Sequence, residues 1–246
     1  MSPILFARSL YHRIYDGICG THPRFRVWHP QWLAVKDLYV DLKRVLPELR
    51  GRVLDVGCGD KPYAAWLNPK LIQHVGLDVF AGPNTDLVVR RGERWPIDSG
   101  FAAAVLCTQT LEHVADIEGF LSEIERVLAP AGSLIVSAPF IYNFHTQTGG
   151  SDYRRFSVEG MKLLFANYKI IEVKTQGGIG STVGLLLLNW IDMSLNRYPT
   201  TRVIKGLLLP AMIFLFVGVN LSGWLLDRLD KTQSFYTNVM LVAQKQ

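Results

Sequence analysis

A chain of 246 residues in which 49% of side chains are hydrophobic and 19% charged is too apolar to be disordered, and long enough for one large domain with an insertion or two small ones. The formal net charge is +5, and the excess is local: residues 1–52 hold nine Lys/Arg against four acids. A basic flank beside apolar sequence suits anionic lipid headgroups, whereas no nucleic-acid motif accompanies it, so nucleic acid is not expected as a partner.

In chain order, Leu5 to Tyr15 mixes apolar and basic residues at roughly helical spacing, and Gly17, Gly20 and Pro23 break the pattern. No signal peptide is expected, since Arg8 and Arg13 interrupt the apolar run and no small-residue cleavage site follows. "QWLAVKDLYVDLKRVL" (31–46) predicts an amphipathic helix ending before Pro47. A β/α alternation then begins. "RVLDV", "IQHVGLDV", "TDLVV", "AAAVLCT" and "GSLIVSAPF" are five short apolar runs, each bounded by turn residues. A helix is expected to open near Pro62. Another is expected to place Ile117, Phe120, Leu121, Ile124, Val127 and Leu128 on one face and to end at Pro130 and Gly132. "YKIIEVKTQ" and "FYTNVMLVAQK" read as sixth and seventh strands. Near-continuous apolar strands alternating with helices predict a doubly wound α/β sheet of seven strands.

Three cysteines, Cys19, Cys58 and Cys107, are odd in number and scattered. They predict neither a disulfide frame nor a metal site, and they suit a reducing cytosol.

"VLDVGCGD" runs a strand into Gly57 and Gly59, where the backbone must turn sharply and a ligand can approach. Asp78 follows at the end of the second strand, placed to accept hydrogen bonds from two ribose hydroxyls. A dinucleotide site would want a third glycine, and that position is Pro62. The set "LDVGCGD", "VGLDV", "LEHV" and "IERVLAPAGSLIVSAPF" resembles the class I S-adenosylmethionine (SAM) methyltransferases, over roughly residues 52–177 plus the last strand. The resemblance implies their Rossmann-like seven-stranded fold and SAM as cofactor. It also implies Asp55, Gly57 and Gly59 at the methionine end, Asp78 at the ribose, and Thr108 and Gln109 facing the sulfonium. Two positions depart from the family pattern: Arg91 stands where an acid near the adenine is common, and Ala102 opens the fourth strand.

The loop "NFHTQTGGSDYRRFS" follows the fifth strand, on the side where parallel sheets hold ligands. It resembles a variant in a subset of the family that acts on glycans or lipid-linked intermediates. His145 is the expected general base for a hydroxyl acceptor. Asp152 would orient it or clamp the loop through an arginine, and Tyr153, Arg154 and Arg155 are candidate acceptor contacts. Glu112 and His113 form a further acid/base pair, at least one of them expected to be structural.

"GLLLPAMIFLFVGVNLSGWLL" (206–226) has no charged side chain. It is long enough to cross a bilayer at ~1.5 Å per residue, yet both of its flanks belong to one sheet. With "GSTVGLLLLNWIDMSLN" it predicts a helical hairpin inserted between the last two strands and dipping into one leaflet. The alternatives are two true spans, or a homodimer interface. The expected divisions are a basic helical region (1–50), a SAM-binding domain (51–178), the hydrophobic insertion (179–232) and the final strand (233–246). The expected protein is a SAM-dependent methyltransferase, monotopic or peripheral on the cytosolic face, that O-methylates a lipid-linked glycan or other amphiphile. A membrane-docked scaffold without turnover, or a SAM reaction on a membrane quinone, is the alternative.

Overall fold

A computed structural model describes residues 13–146 and 151–246. Of the first expected helical pattern only its last residues fall within that range, where 13–19 are helical. The tip of the loop after the fifth strand, 147–150, lies outside it.

The chain divides into two compact units, residues 40–176 with 238–246, and residues 1–39 with 177–237. The first is built on a seven-stranded sheet: β1 (Gly51–Val56), β2 (Ile72–Asp78), β3 (Leu87–Val88), β4 (Ala102–Thr108), β5 (Leu128–Pro139), β6 (Tyr168–Gln176) and β7 (Asn238–Lys245). The spatial order is β3-β2-β1-β4-β5-β7-β6. β1 to β5 run parallel, while β7 runs antiparallel to both of its neighbours. The central strands are buried throughout: Val53, Leu54, Val105, Leu106, Leu134, Ile135 and Val136 expose no surface. That burial explains why their sequences read as unbroken apolar runs instead of alternating ones. Strand order reverses between β1 and β4, so the loops leaving their carboxyl ends diverge and open a crevice.

α1 (Trp32–Val45) forms as its pattern predicts. α2 (Ile117–Val127) is capped by Asp116, whose carboxylate accepts from the Gly119 amide, satisfying one orphan donor of the first turn. α3 (Val158–Leu164) is capped in the same way by Ser157.

Three local expectations need correction. No α-helix opens at Pro62; the chain makes turns and a single 3-10 turn at Ala64–Trp66, because Pro69 follows too soon for a helix to propagate. β3 shrinks to two residues, Leu87–Val88, paired with Leu77 and Asp78 at the end of β2, while the Asp86 side chain just before it accepts from the Gly76 amide. β5 starts at Leu128, four residues before Gly132, so α2 ends at Val127 and the "LAPA" segment enters the sheet.

The other unit holds α4 (Ile179–Asn196), α5 (Pro199–Leu207) and α6 (Leu209–Leu229). The insertion between the last strands is thus three helices, not two. Pro199 and Pro210 each sit in a first turn, where the missing N–H costs nothing and further N-terminal extension is blocked. α4 and α6 cross closely where Gly180 meets Gly223: a Cβ on Gly180 would fall 2.0 Å from the Gly223 carbonyl oxygen. Leu188, Met212 and Phe216 form the shared core. At one end Asp227 accepts from the Ser181 amide (2.8 Å) and hydroxyl and lies 3.3 Å from Lys36 Nζ. At the other, Lys205 Nζ pairs with Asp192 at 2.6 Å. Midway along α6, the Asn220 amide donates to the carbonyls of Val27 and His29.

Candidate active site

The turn after β1 is shaped by two left-handed glycines. Gly57 has φ +72°, and a Cβ there would fall 2.3 Å from Thr110 Oγ1. The backbone conformation and the approach of Thr110 both demand glycine. Gly57→Ala should therefore lower stability by about 1–3 kcal/mol from strain alone, a Tm loss of roughly 2–4 °C per kcal/mol for a chain this long. An unchanged melting curve would show the turn to be tolerant. Gly59 has φ +48° and nothing within 4 Å of its would-be Cβ, so its bare face looks into open space that a ligand can fill.

Asp78 closes this cradle. Its Oδ2 accepts from the Gly59 amide at 2.9 Å, and its Oδ1 accepts from the Phe80 amide at 3.0 Å. Each carboxylate oxygen has two lone pairs, so both retain one for a ligand hydroxyl. Across the crevice Gln109 leaves β4 in a left-handed conformation, φ +51°. Its amide donates to the Ser137 carbonyl and its side chain to the Ser137 hydroxyl. Between these walls lies a cavity of about 630 Å³ whose lining includes Gly57, Gly59, Asp78, Gln109, His113 and Tyr153. The segment after β3 completes it. There Phe80 carries the Arg91 guanidinium over its ring at 5.7 Å, and Trp95 meets Phe120 edge-on.

Asp55 stands behind this surface. It is buried and paired with His74 Nε2 at 3.1 Å. Burial pushes its carboxyl above the usual range, and the histidine opposes the shift. Thr108, at the end of β4, accepts at its carbonyl from Thr110 Oγ1. Neither Asp55 nor Thr108 is among the residues lining the cavity.

The loop after β5 is tied down by its own arginines. Arg155 grips Asp152 with both terminal nitrogens and donates to the carbonyls of Tyr142 and Asn143. The guanidinium holds the Asp152 carboxyl at about 2, well below an ordinary aspartate. Asp152 Oδ2 also accepts from the His145 amide at 2.9 Å and lies 3.4 Å from His145 Nδ1. Arg154 donates to the carbonyls of Val114 and Ala115. Burial lowers the His145 pKa, and neighbouring His113 adds to the effect.

The sequence reading missed what these loops enclose. Glu112 sits in a 3-10 turn, Leu111–His113, and is fully buried. The "LEHV" segment forms only this turn, and α2 begins at Ile117. Neither Glu112 carboxylate oxygen has a hydrogen-bond partner. Burial raises its pKa to about 8, with only partial relief from its own backbone amide and then from Arg155. Oε1 lies 3.9 Å from His113 Nε2, and the His113 and His145 rings meet edge-to-face with centroids 4.9 Å apart. Only the adjacency of Glu112 and His113 was visible in sequence; His145 is brought to them by the fold.

Residues 54–136 match a family model described as a methyltransferase domain. No curated protein sequence matches the chain. Among solved structures, the chain is similar to the [4+2]-cyclase SpnF at 18% identity, covering 85% of this chain and 81% of that one, with a TM-score of 0.54. It is similar to Haemonchus contortus phosphoethanolamine N-methyltransferase 2 in complex with SAM at 13% identity, covering 96% and 60%, with a TM-score of 0.52. It is also similar to geranyl diphosphate C-methyltransferase from Streptomyces coelicolor A3(2), in complex with Mg2+, geranyl diphosphate and S-adenosylhomocysteine, at 11% identity, covering 86% and 79%, with a TM-score of 0.51. At such identities these likenesses show the fold. The cavity suits the cofactor on its own terms: its volume lies in the range of small-ligand sites, Gly59 leaves the cradle open, and Asp78 offers a carboxylate at the rim. Residues 54–136 carry a methyltransferase domain, on a fold shared with SAM-dependent methyltransferases, and SAM is the cofactor that this domain and cavity imply.

Proposed function

We propose that the protein moves a methyl group from SAM to a hydroxyl of an amphiphilic acceptor, a lipid-linked glycan, at the cytosolic surface of a membrane. The observation that carries the membrane part is the exposed apolar surface of the inserted helices. On α4, Val183, Leu187, Trp190 and Met193 are exposed, and on α6, Phe214, Leu221, Leu225 and Leu229. Their spacings of three, four and seven put each set on one helical stripe. α6 is the one helix among the described residues long and apolar enough to cross a bilayer, and only 22% of its most apolar window is buried. Composition alone would admit a core helix; the exposure argues otherwise.

A monotopic arrangement fits better than two spans. Midway along its length α6 is bonded through Asn220 to residues 27 and 29, non-helical backbone next to the exposed Arg24 and Arg26. A crossing would carry that irregular backbone into hydrocarbon, where its polar groups find no partners. Both ends of the helical unit are charged as well, with Lys36, Asp227 and Asp230 at one and Asp192, Arg197, Arg202 and Lys205 at the other. Helices lying in the interface keep both ends wet.

When bound, SAM supplies an electrophilic methyl on a sulfonium. Asp78 and the Gly57–Gly59 turn hold the cofactor, and Gln109 closes the reacting end. His145 Nδ1 faces the Asn143 carbonyl and Asp152, which leaves Nε2 to accept the acceptor's proton. Asp152 orients that ring, while Tyr153, Arg154 and Arg155 shape the acceptor side. Asp78→Ala should weaken SAM binding about tenfold to a hundredfold, because a charge-assisted hydrogen bond contributes about 1.5–3 kcal/mol. Calorimetry on the folded variant reads this directly; wild-type affinity would remove Asp78 from the cofactor site. The activity is tested by measuring S-adenosylhomocysteine release with membrane lipid extracts. Release that depends on the glycolipid fraction supports the reading. SAM binding without release favours a scaffold, and release only with quinones points to the other acceptor class.

A further inference from the structure

We propose that Glu112, His113 and His145 bind one first-row divalent cation at the edge of the SAM cavity. One ligand atom from each of these residues lies within 4.8 Å of the other two. Four features of the site support this.

The Glu112 carboxylate is fully buried and both of its oxygens lack a hydrogen-bond partner. A buried acid normally finds a donor, and both oxygens are left for an ion. His113 Nδ1 lies 2.7 Å from the Ser151 carbonyl oxygen. That contact requires the proton on Nδ1, so Nε2 carries the lone pair, and Nε2 is the atom 3.9 Å from Glu112 Oε1. A carbonyl fixing the tautomer of a ligating histidine is the usual outer-shell arrangement in metal sites. His145 is held in the same sense by Asp152 and the Asn143 carbonyl at its Nδ1, and Arg155 anchors Asp152 in turn. Finally, His113 also lines the SAM cavity, so a coordination position left open by three protein ligands would face the place where acceptor and cofactor meet.

Two imidazoles and one carboxylate suit Zn2+, Mn2+, Co2+ or Fe2+ better than Ca2+ or Mg2+. Around a tetrahedral ion with bonds of ~2.0–2.1 Å the ligand atoms stand roughly 3.3 Å apart, so the three side chains close inward by an ångström or so on binding. The spacing of cysteine and histidine in the sequence predicted no metal, because two ligands are adjacent in the chain and the third lies in a separate loop.

The consequence for chemistry rests on the methyl-transfer reading. An acceptor hydroxyl on the open position becomes more acidic. Its proton leaves to water, its oxygen forms the new C–O bond, and the C–S bond breaks to release S-adenosylhomocysteine. With the ion bound, the Nε2 lone pair of His145 that would otherwise take the proton is committed to coordination, so His145 is the base only in the metal-free protein, and the cation titrations below decide between the two roles.

The test uses the full chain, stripped with a chelator and titrated by calorimetry with Mn2+, Co2+, Zn2+ and Mg2+ salts, with the visible spectrum of Co2+ as a second readout. SAM titrations run in parallel. Wild type should take up one equivalent of Mn2+, Co2+ or Zn2+. Glu112→Gln, His113→Asn and His145→Asn should each lose more than the tenfold that removal of an outer-shell partner costs, while still binding SAM. No saturable uptake by wild type would overturn the proposal. So would equal Co2+ affinity and spectrum in Glu112→Gln that still binds SAM. Uptake of the cation with no SAM binding would leave the metal site standing and remove the methyltransferase reading instead.

Discussion

His145→Ala is expected to cut turnover by roughly 10²–10⁴ while SAM affinity stays near wild type. The lower bound follows from the usual contribution of a positioned proton acceptor; loss of an ion that acidifies the hydroxyl would fall at least as far. The substitution is unlike one in the cofactor cradle because His145 contacts neither Gly59 nor Asp78. Its partners are Asp152, Asn143, His113 and Tyr142. Asp152→Asn should follow in the same direction by a smaller factor, since it removes the charge behind Nδ1 and loosens Arg155. Single-turnover kinetics with saturating SAM separates these effects from binding. A His145→Ala rate within a few-fold of wild type would leave the side chain as a loop anchor only.

The combined change Trp190→Glu, Phe214→Glu and Leu225→Glu should lower partition into anionic vesicles by a thousandfold or more. Each side chain is more than half exposed, so the fold has little to lose. Burying a large apolar side chain contributes about 1.5–3 kcal/mol, and three together span roughly three to six decades of affinity. Flotation with phosphatidylserine-rich vesicles measures it. Loss of binding with unchanged SAM affinity places the apolar stripes in the interface. Retained binding would mean that the surface does not touch lipid. A wild type that is dimeric and a variant that is monomeric would instead make the stripes a contact between two copies.

Most of the sheet was legible because burial on both faces writes itself into sequence. "VLDV", "AVLCT" and "LIVSAP" have no polar face to hide. The insertion of β7, antiparallel, between β5 and β6 was not legible from periodicity, since nothing in a strand's own sequence names its neighbours. Where local reading failed, short-range geometry won. Pro69 stopped a helix after Gly59, and β3 kept only the two residues that pair with the end of β2. At the site, Gly57, Gly59 and Asp78 could be placed in sequence because a tight turn and a strand end fix them locally. Glu112 could not. Its significance lies in two oxygens without partners, which depends on everything packed round it, and in a histidine 33 positions away along the sequence. The charged ends of the apolar insertion were visible; the bond from Asn220 to residues 27 and 29 was not.

The central claim is most directly tested by incubating the full chain with SAM carrying a deuterated methyl group and membranes from its source, then analysing lipid and glycan extracts by mass spectrometry. The account predicts a labelled methyl on one amphiphilic species with wild type, lost with His145→Ala and reduced with Asp78→Ala. SAM binding with no labelled lipid or glycan under those conditions would contradict it.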